Sequence, residues 1–340
     1  RRDKRIVTYN FRNTLDFTKE LGDKSDLRVY LGQEFRFVNR EQSFNRGFGY
    51  QFSRGGVPFT DPDIINKLIL DGGNYFGLTQ SRERGMTFFT TATYAFDKKY
   101  ILNVTGNYEG SNRAGKSSST RWLPTYNIGA KWNIDQEPFI QDVSWISKLA
   151  FRPSYGLVGL LADNVSNNLA VFRNVLTDRF NPNTRENAIN IDELQNTELT
   201  WEKTLELNLG LEAGFLDNRI SFVADVYFRK GKDLIDQLRT SGVGGQAIKL
   251  ANNANMTTNG VEFQLNTSNI VTPNFKWNTT INFSYFDQEI TELQQRPNVF
   301  DLVSQTGGNA IGFPRGSLFS FQFDKLDERG IPTFVFNDDR

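Results

Sequence analysis

The chain has no cysteine and no histidine. Without thiols there can be no disulfide, no thiolate nucleophile, no iron–sulfur ligation and no lipid-carrying cysteine here. Without imidazole the commonest general base and metal ligand is gone, which excludes Ser-His-Asp and Cys-His catalysis and His-containing zinc sites. Carboxylate-only chemistry stays possible. Charge imbalance is missing too. The 39 Lys+Arg match the 39 Asp+Glu across 340 residues, so nothing steers the chain toward nucleic acid or an anionic surface. No run approaches the roughly 18 apolar residues of a membrane-crossing helix, and mean hydropathy is -0.49. That value leaves a membrane barrel open, because strands that alternate lipid-facing and lumen-facing residues average out as hydrophilic. Arg1-Arg2-Asp3-Lys4 carries no signal-peptide pattern and opens almost directly into a strand. We therefore expect residue 1 to follow a removed or unrepresented segment.

What is abundant is aromatic: 14% of the chain, with 30 Phe and 11 Tyr, suiting strands and interfacial girdles. The pattern is clearest over Asn196–Asp233. Trp201, Leu205, Leu207, Leu209, Leu211, Ala213 and Phe215 share one parity, and Glu202, Thr204, Glu206, Asn208 and Glu212 the other. After Leu216-Asp217-Asn218, Ile220, Phe222, Ala224, Val226 and Phe228 alternate with Ser221, Asp225, Tyr227 and Arg229. Successive strand side chains point to opposite faces, so this is a hairpin with one apolar and one wet face. Counting from the turn places Phe215 opposite Ile220 and Glu206 opposite Arg229. The pair Glu206 and Arg229 is expected to face the lumen, with Leu207 and Phe228 facing outward.

The same alternation recurs along the chain. It predicts strands over 6–19, 27–38, 86–96, 100–108, 122–134, 149–155, 260–269 and 275–286, and an eleventh over Leu318–Phe323. Short connections such as Asp97-Lys98-Lys99 alternate with long ones, 39–84, 156–198 and 231–256. Strands of about ten residues, short turns at one end and long loops at the other describe an outer-membrane barrel, whereas soluble sandwiches favour strands of about five or six.

Several motifs have plain readings. Gly110 to Ser117 fits the P-loop pattern, but the sequence after it is helix-poor and returns to an alternating strand, so a flexible extracellular loop is expected. Asn103, Asn278 and Asn282 begin Asn-x-Ser/Thr triplets inside strands and read as ordinary strand residues. Asp61, Asp63 and Asp71 read as solvated loop carboxylates, and Gly242 to Gly245 as a loop tip.

A set of blocks resembles the SusC/RagA-like TonB-dependent transporters. They include Ala95-Phe96-Asp97-Lys98-Lys99-Tyr100, Glu109-Gly110-Ser111-Asn112-Arg113, Glu137-Pro138-Phe139, Leu149 to Gly156, Leu199-Thr200-Trp201-Glu202-Lys203-Thr204, Thr258-Asn259-Gly260-Val261-Glu262 and Gly312 to Leu318. The resemblance covers roughly residues 95–340. It implies an all-β, transmembrane antiparallel up-and-down barrel of about 22 strands with long extracellular loops, of which this chain supplies about 10 or 11. It also implies an N-terminal plug, contact with the TonB complex ahead of that plug, and a SusD-like surface lipoprotein as lid. Residues 1–340 are expected to be a partial β-barrel domain, with plug, TonB-contacting segment and closing strands outside it. Alone, ten strands leave two open edges that hydrocarbon does not tolerate, so either further strands complete the barrel or the ten close as a small pore.

The function expected is that of the barrel portion of an importer of oligosaccharides or peptides in the outer membrane of a Gram-negative bacterium. No catalysis, cofactor, metal or nucleic acid is expected. A passive pore or adhesin barrel is the alternative, and a soluble glycan-binding sandwich a remote one. Tyr50, Phe52, Tyr75, Phe76 and Trp122 are the candidate substrate-contacting aromatics, by stacking on sugars or clasping a peptide. The same rings would also serve as girdle or loop anchors.

Overall fold

The computed structural model describes the chain apart from residues 1, 47–49, 52, 54, 59–60, 64–65, 68–75, 115–116, 162–170, 178–185, 194, 244–247 and 336–340. One ten-stranded antiparallel sheet dominates it: β1 Arg2–Glu20, β2 Ser25–Asn45, β3 Phe76–Phe96, β4 Tyr100–Ser111, β5 Trp122–Asn133, β6 Ile146–Leu160, β7 Glu202–Phe215, β8 Ile220–Arg239, β9 Ile248–Val271 and β10 Lys276–Leu293. Each strand pairs with its neighbours in sequence, and the sheet is open, with β1 and β10 at its edges. A closed ten-stranded pore is not formed.

Tight turns fix the register at one end. Asp97 and Lys98 take φ of 51° and 56°, and Leu216, Asp217 and Asn218 take 53°, 53° and 59°. Left-handed residues of this kind match the twist of a hairpin. Phe215 then lies opposite Ile220, Leu207 opposite Phe228 and Glu206 opposite Arg229. A slip of one residue would reverse both faces.

The two faces have opposite characters. Phe11, Leu15 and Tyr285 are about 60% exposed, and Leu207, Leu209, Leu211, Val226 and Phe228 all stay exposed. On the inner strands β7 and β8 the polar parity is half-buried, while on the edge strand β1 it is exposed. Of the large side chains described, only Leu199, Ile290 and Val38 are fully buried. A water-soluble sheet would cover its apolar face; this one presents it. Aromatics bracket that face. On β5, Trp122 stacks on Tyr108 at 4.9 Å and Trp132 on Tyr100 at 6.5 Å between ring centroids. Residues 122 and 132 are separated by roughly 33 Å along a strand. At a tilt of about 40° that is roughly 25 Å along the normal, the height of an outer-membrane apolar band. The Trp122 ring lies over Gly110, where any Cβ would come within 2.6 Å of it.

The strands outrun this band. β1, β2, β3 and β9 have 19, 21, 21 and 24 residues, against the 9–11 or so that a bilayer needs. The extra length lies at the long-loop end, where pairs such as Arg40–Glu83 (2.8 Å) hold it. The expected strand ends at residues 38, 86 and 260 are therefore too short, because period-2 alternation stops where lipid stops.

Two departures concern packing. The eleventh strand expected over Leu318–Phe323 does not join the sheet. Gly312 and Gly316 adopt φ of 86° and 73°, Gly308 bridges Ser317, and Phe319 packs edge-on against Phe313. Only Phe323–Leu326 is extended, paired with Pro332–Phe334 in a separate ribbon. Pro153, in the middle of β6, has no N–H to give. The β5–β6 ladder runs from Gly129↔Ser154 to Trp132↔Phe151 without pairing the residues between, the expected result of proline inside a sheet.

Candidate functional site: the polar face and the long-loop mouth

The polar face is a run of cross-strand ion pairs. Arg12 Nε donates to Glu34 at 2.6 Å, Arg28 Nη2 to Asp16 at 2.7 Å, and Arg229 Nε to Glu206 at 2.6 Å. The Arg229 guanidinium also sits 4.0 Å over the Tyr227 ring. Tyr227 fits because Gly260 faces it; a Cβ there would fall 2.3 Å from the ring. Glu212 gathers three cations, Lys131 at 3.3 Å, Lys148 at 2.6 Å and Arg152 at 3.0 Å. Beside them Asn103, Lys131, Arg152, Asn208 and Asp225 line a recess of about 330 Å³ at the unpaired Pro153 stretch. Such a surface is costly against hydrocarbon and cheap against water.

Above the band the Leu199 to Lys203 block builds the rim. Asn252 accepts from Thr200 N–H (2.8 Å) and donates to Thr200 C=O (2.9 Å) and Asp233 C=O (2.6 Å), copying a strand pairing with a side chain. Leu199 and Trp201 enter a small core with Ala114, Leu123, Leu161 and Ile235, and Trp201 Nε1–H reaches Arg121 C=O at 3.1 Å. Glu202 accepts from Ile235 N–H at 2.7 Å, and Lys203 pairs with Asp233 at 2.7 Å. Trp201 thus leaves the apolar parity on which alternation places it, because β7 begins only at Glu202.

At the opposite end Glu137 is nearly buried, 8% exposed. It accepts from Tyr100 Oη–H (2.6 Å), Trp132 Nε1–H (3.1 Å) and Lys99 Nζ (3.2 Å). The Tyr100 hydroxyl first, then the Trp132 N–H and Lys99, hold its carboxyl below the ordinary glutamate value. A depressed folded-state pKa adds stability above the unfolded value, about 4.3, and that stability is lost as pH falls through the folded value. Glu137→Gln is therefore expected to lower the unfolding midpoint at neutral pH, with the gap to wild type closing below about pH 4. Denaturant titrations at pH 3.5 and 7.5 check this, and a gap of equal size at both would assign the effect to packing.

The aromatic candidates are scattered. Trp122 opens β5 on the apolar face. Phe76 opens β3 opposite Asn45, 51% exposed. Tyr50 starts a two-residue strand paired with Val57–Pro58. Phe52 and Tyr75 lie outside the described residues, as do Gly115, Lys116 and Asp71. Among the described residues no cluster able to hold a metal forms. Gly110 and Ser111 belong to an antiparallel strand, and the helix that follows is only Ser118–Arg121, so the described residues form no phosphate-binding strand–helix unit there.

An open, one-side-greasy sheet with aromatic girdles and an ion-paired inner face defines a section of an outer-membrane β-barrel. The TonB dependent receptor-like, beta-barrel family matches residues 2–326. The chain belongs to that family, one of outer-membrane transporters and not of enzymes. It is 29% identical to the TonB-dependent receptor SusC of Bacteroides thetaiotaomicron over 96% of its own length and 32% of that protein. It is 26% identical to the TonB-dependent receptor P26 of Formosa agariphila over 84% of its length and 28% of that receptor. The chain thus spans about a third of the curated relatives it matches. Its fold superposes on the RagAB peptide importer in the closed-closed state with a TM-score of 0.80, at 23% identity, covering 99% of this chain and 38% of that one.

Proposed function

We propose that this chain is the wall and outer rim of an energised importer that takes up oligosaccharides or peptides. The carrying observation is the division of one sheet into a lipid-type face and a polar face rich in cross-strand ion pairs, in a chain of this family. In this reading Glu206–Arg229 and the Glu212 cluster face the lumen and keep it wet and straight-walled, and no bond is made or broken by these residues. A SusD-like lipoprotein covers the rim, and coupling to the TonB complex runs through a part of the transporter outside residues 1–340. SusC and the RagAB importer as relatives support both partners. The test is uptake of labelled oligosaccharides and short peptides by cells carrying the intact transporter, with and without an uncoupler. Energised uptake of one class, abolished by the uncoupler, is expected. Flux indifferent to the uncoupler would replace the importer with the passive pore.

A further inference from the structure

The segment after β10 folds back over the ends of β8 and β9 instead of extending the sheet. Gly312 N–H and Phe313 C=O bond Ile290 on the outer edge of β10, both at 2.9 Å. The Val299–Leu302 turn is closed by a capping box between Asn298 and Asp301. Between this segment and the two strands lies a cavity of about 440 Å³, within the range of small-ligand pockets.

Its polar groups are unevenly satisfied. Asp301 takes Arg239 (Nε at 3.2 Å), and Asp236 takes Asn309 Nδ2 at 2.5 Å. Gln295 accepts from Arg239 N–H at 2.9 Å, and Asn309 from Gly316 N–H at 3.0 Å. These bonds hold the walls. Two arginines that also line the cavity, Arg296 and Arg315, have no acidic partner among the described residues. At the base, Asn253 is 6% exposed and donates to Gln237 C=O at 3.3 Å. Its Oδ1 is buried and accepts nothing among the described residues. That oxygen is sealed inside the wall and faces no accessible space.

From these groups we propose that the cavity is a recognition site for a carboxylate. The carboxylate is bound by Arg296 and Arg315. Planar guanidinium forks match a carboxylate's two oxygens. Two sources offer this chemistry: a uronate residue, with ring hydroxyls beside its carboxylate, and a peptide C-terminus, with an amide N–H beside its own. A neutral oligosaccharide offers the hydroxyls without the charge. The site deepens the importer reading, and rests on it, by naming what the rim selects.

The test is equilibrium titration of the purified intact transporter in detergent with trigalacturonate, trialanine and maltotriose. One of the two carboxylate probes is expected to saturate, which identifies the source, while maltotriose shows no saturable binding. Arg296→Gln with Arg315→Gln is expected to weaken that binding at least ten-fold. Both side chains are exposed, so the fold survives, and retained heat-modifiable gel mobility checks that. Failure of both carboxylate probes to bind, binding unchanged in the double variant, or equal binding of maltotriose overturns the site. Equilibrium binding is independent of energisation: loss of the site leaves uncoupler-sensitive uptake standing, and passive flux leaves the binding result standing.

Discussion

Leu209→Arg is expected to destabilise the intact barrel by about 2–4 kcal/mol, whereas Asn208→Arg, one residue away, costs less than about 1 kcal/mol. Leu209 sits mid-way along the apolar run Leu205–Phe215 and pairs with Val226 on β8 and Pro153 on β6. At that depth a guanidinium must stay in hydrocarbon or pull water to itself. Asn208 faces the other way, among Lys131, Arg152 and Asp225 around the recess, where an added cation meets water and a carboxylate. The pair separates lipid from a protein core as the neighbour of the apolar face, because a dry core would penalise Leu209→Arg still more and make Leu209→Ala cost about 2–5 kcal/mol. Guanidinium titration of the folded transporter in phospholipid vesicles reads all three. Equal costs at 208 and 209 would remove the assignment of the two faces.

That assignment was legible in the sequence for a simple reason. Where one side of a strand meets lipid and the other water, every second residue is constrained, and the constraint repeats for ten strands. Turn chemistry added register, since Asp97-Lys98 and Asp217-Asn218 tolerate left-handed backbone at an acceptable cost. What stayed illegible lies above the bilayer. In the first half of β9, Ala251-Asn252-Asn253-Ala254-Asn255 shows no alternation, because other segments of the chain cover it, leaving Ala251, Asn253 and Ala254 buried, and side chains bond backbone instead. The Leu199 to Lys203 block was readable as a family signature but not as a rim. Its partners, Asn252, Asp233 and Ile235, are 30 residues or more downstream and come near only through the hairpins. The cavity under Val299–Leu302 was not legible, since alternation there points only to a strand over Leu318–Phe323.

The rim supplies the second large effect. Trp201→Ala is expected to cost about 3–5 kcal/mol, the range for removing a large buried aromatic, and to spend it locally. The indole is 5% exposed, and it joins Leu123 of β5 and Ile235 of β8 to Leu161 and Leu199 in one cluster. Its loss opens a cavity at the junction of three otherwise separate connections. The hairpin below has its own ladder from Lys203↔Lys232 to Phe215↔Ile220 and needs nothing from the rim. Amide hydrogen exchange should therefore quicken by orders of magnitude over residues 196–202 and 233–239 while residues 205–215 keep their protection. Trp201→Phe separates the two roles of the indole: it keeps most of the packing, loses the 3.1 Å bond to Arg121 C=O, and is expected to cost about 1 kcal/mol. If Trp201→Ala instead loosens the hairpin as a whole, rim and wall fold as one unit. The rim cavity could then not be altered without disturbing the channel beneath it.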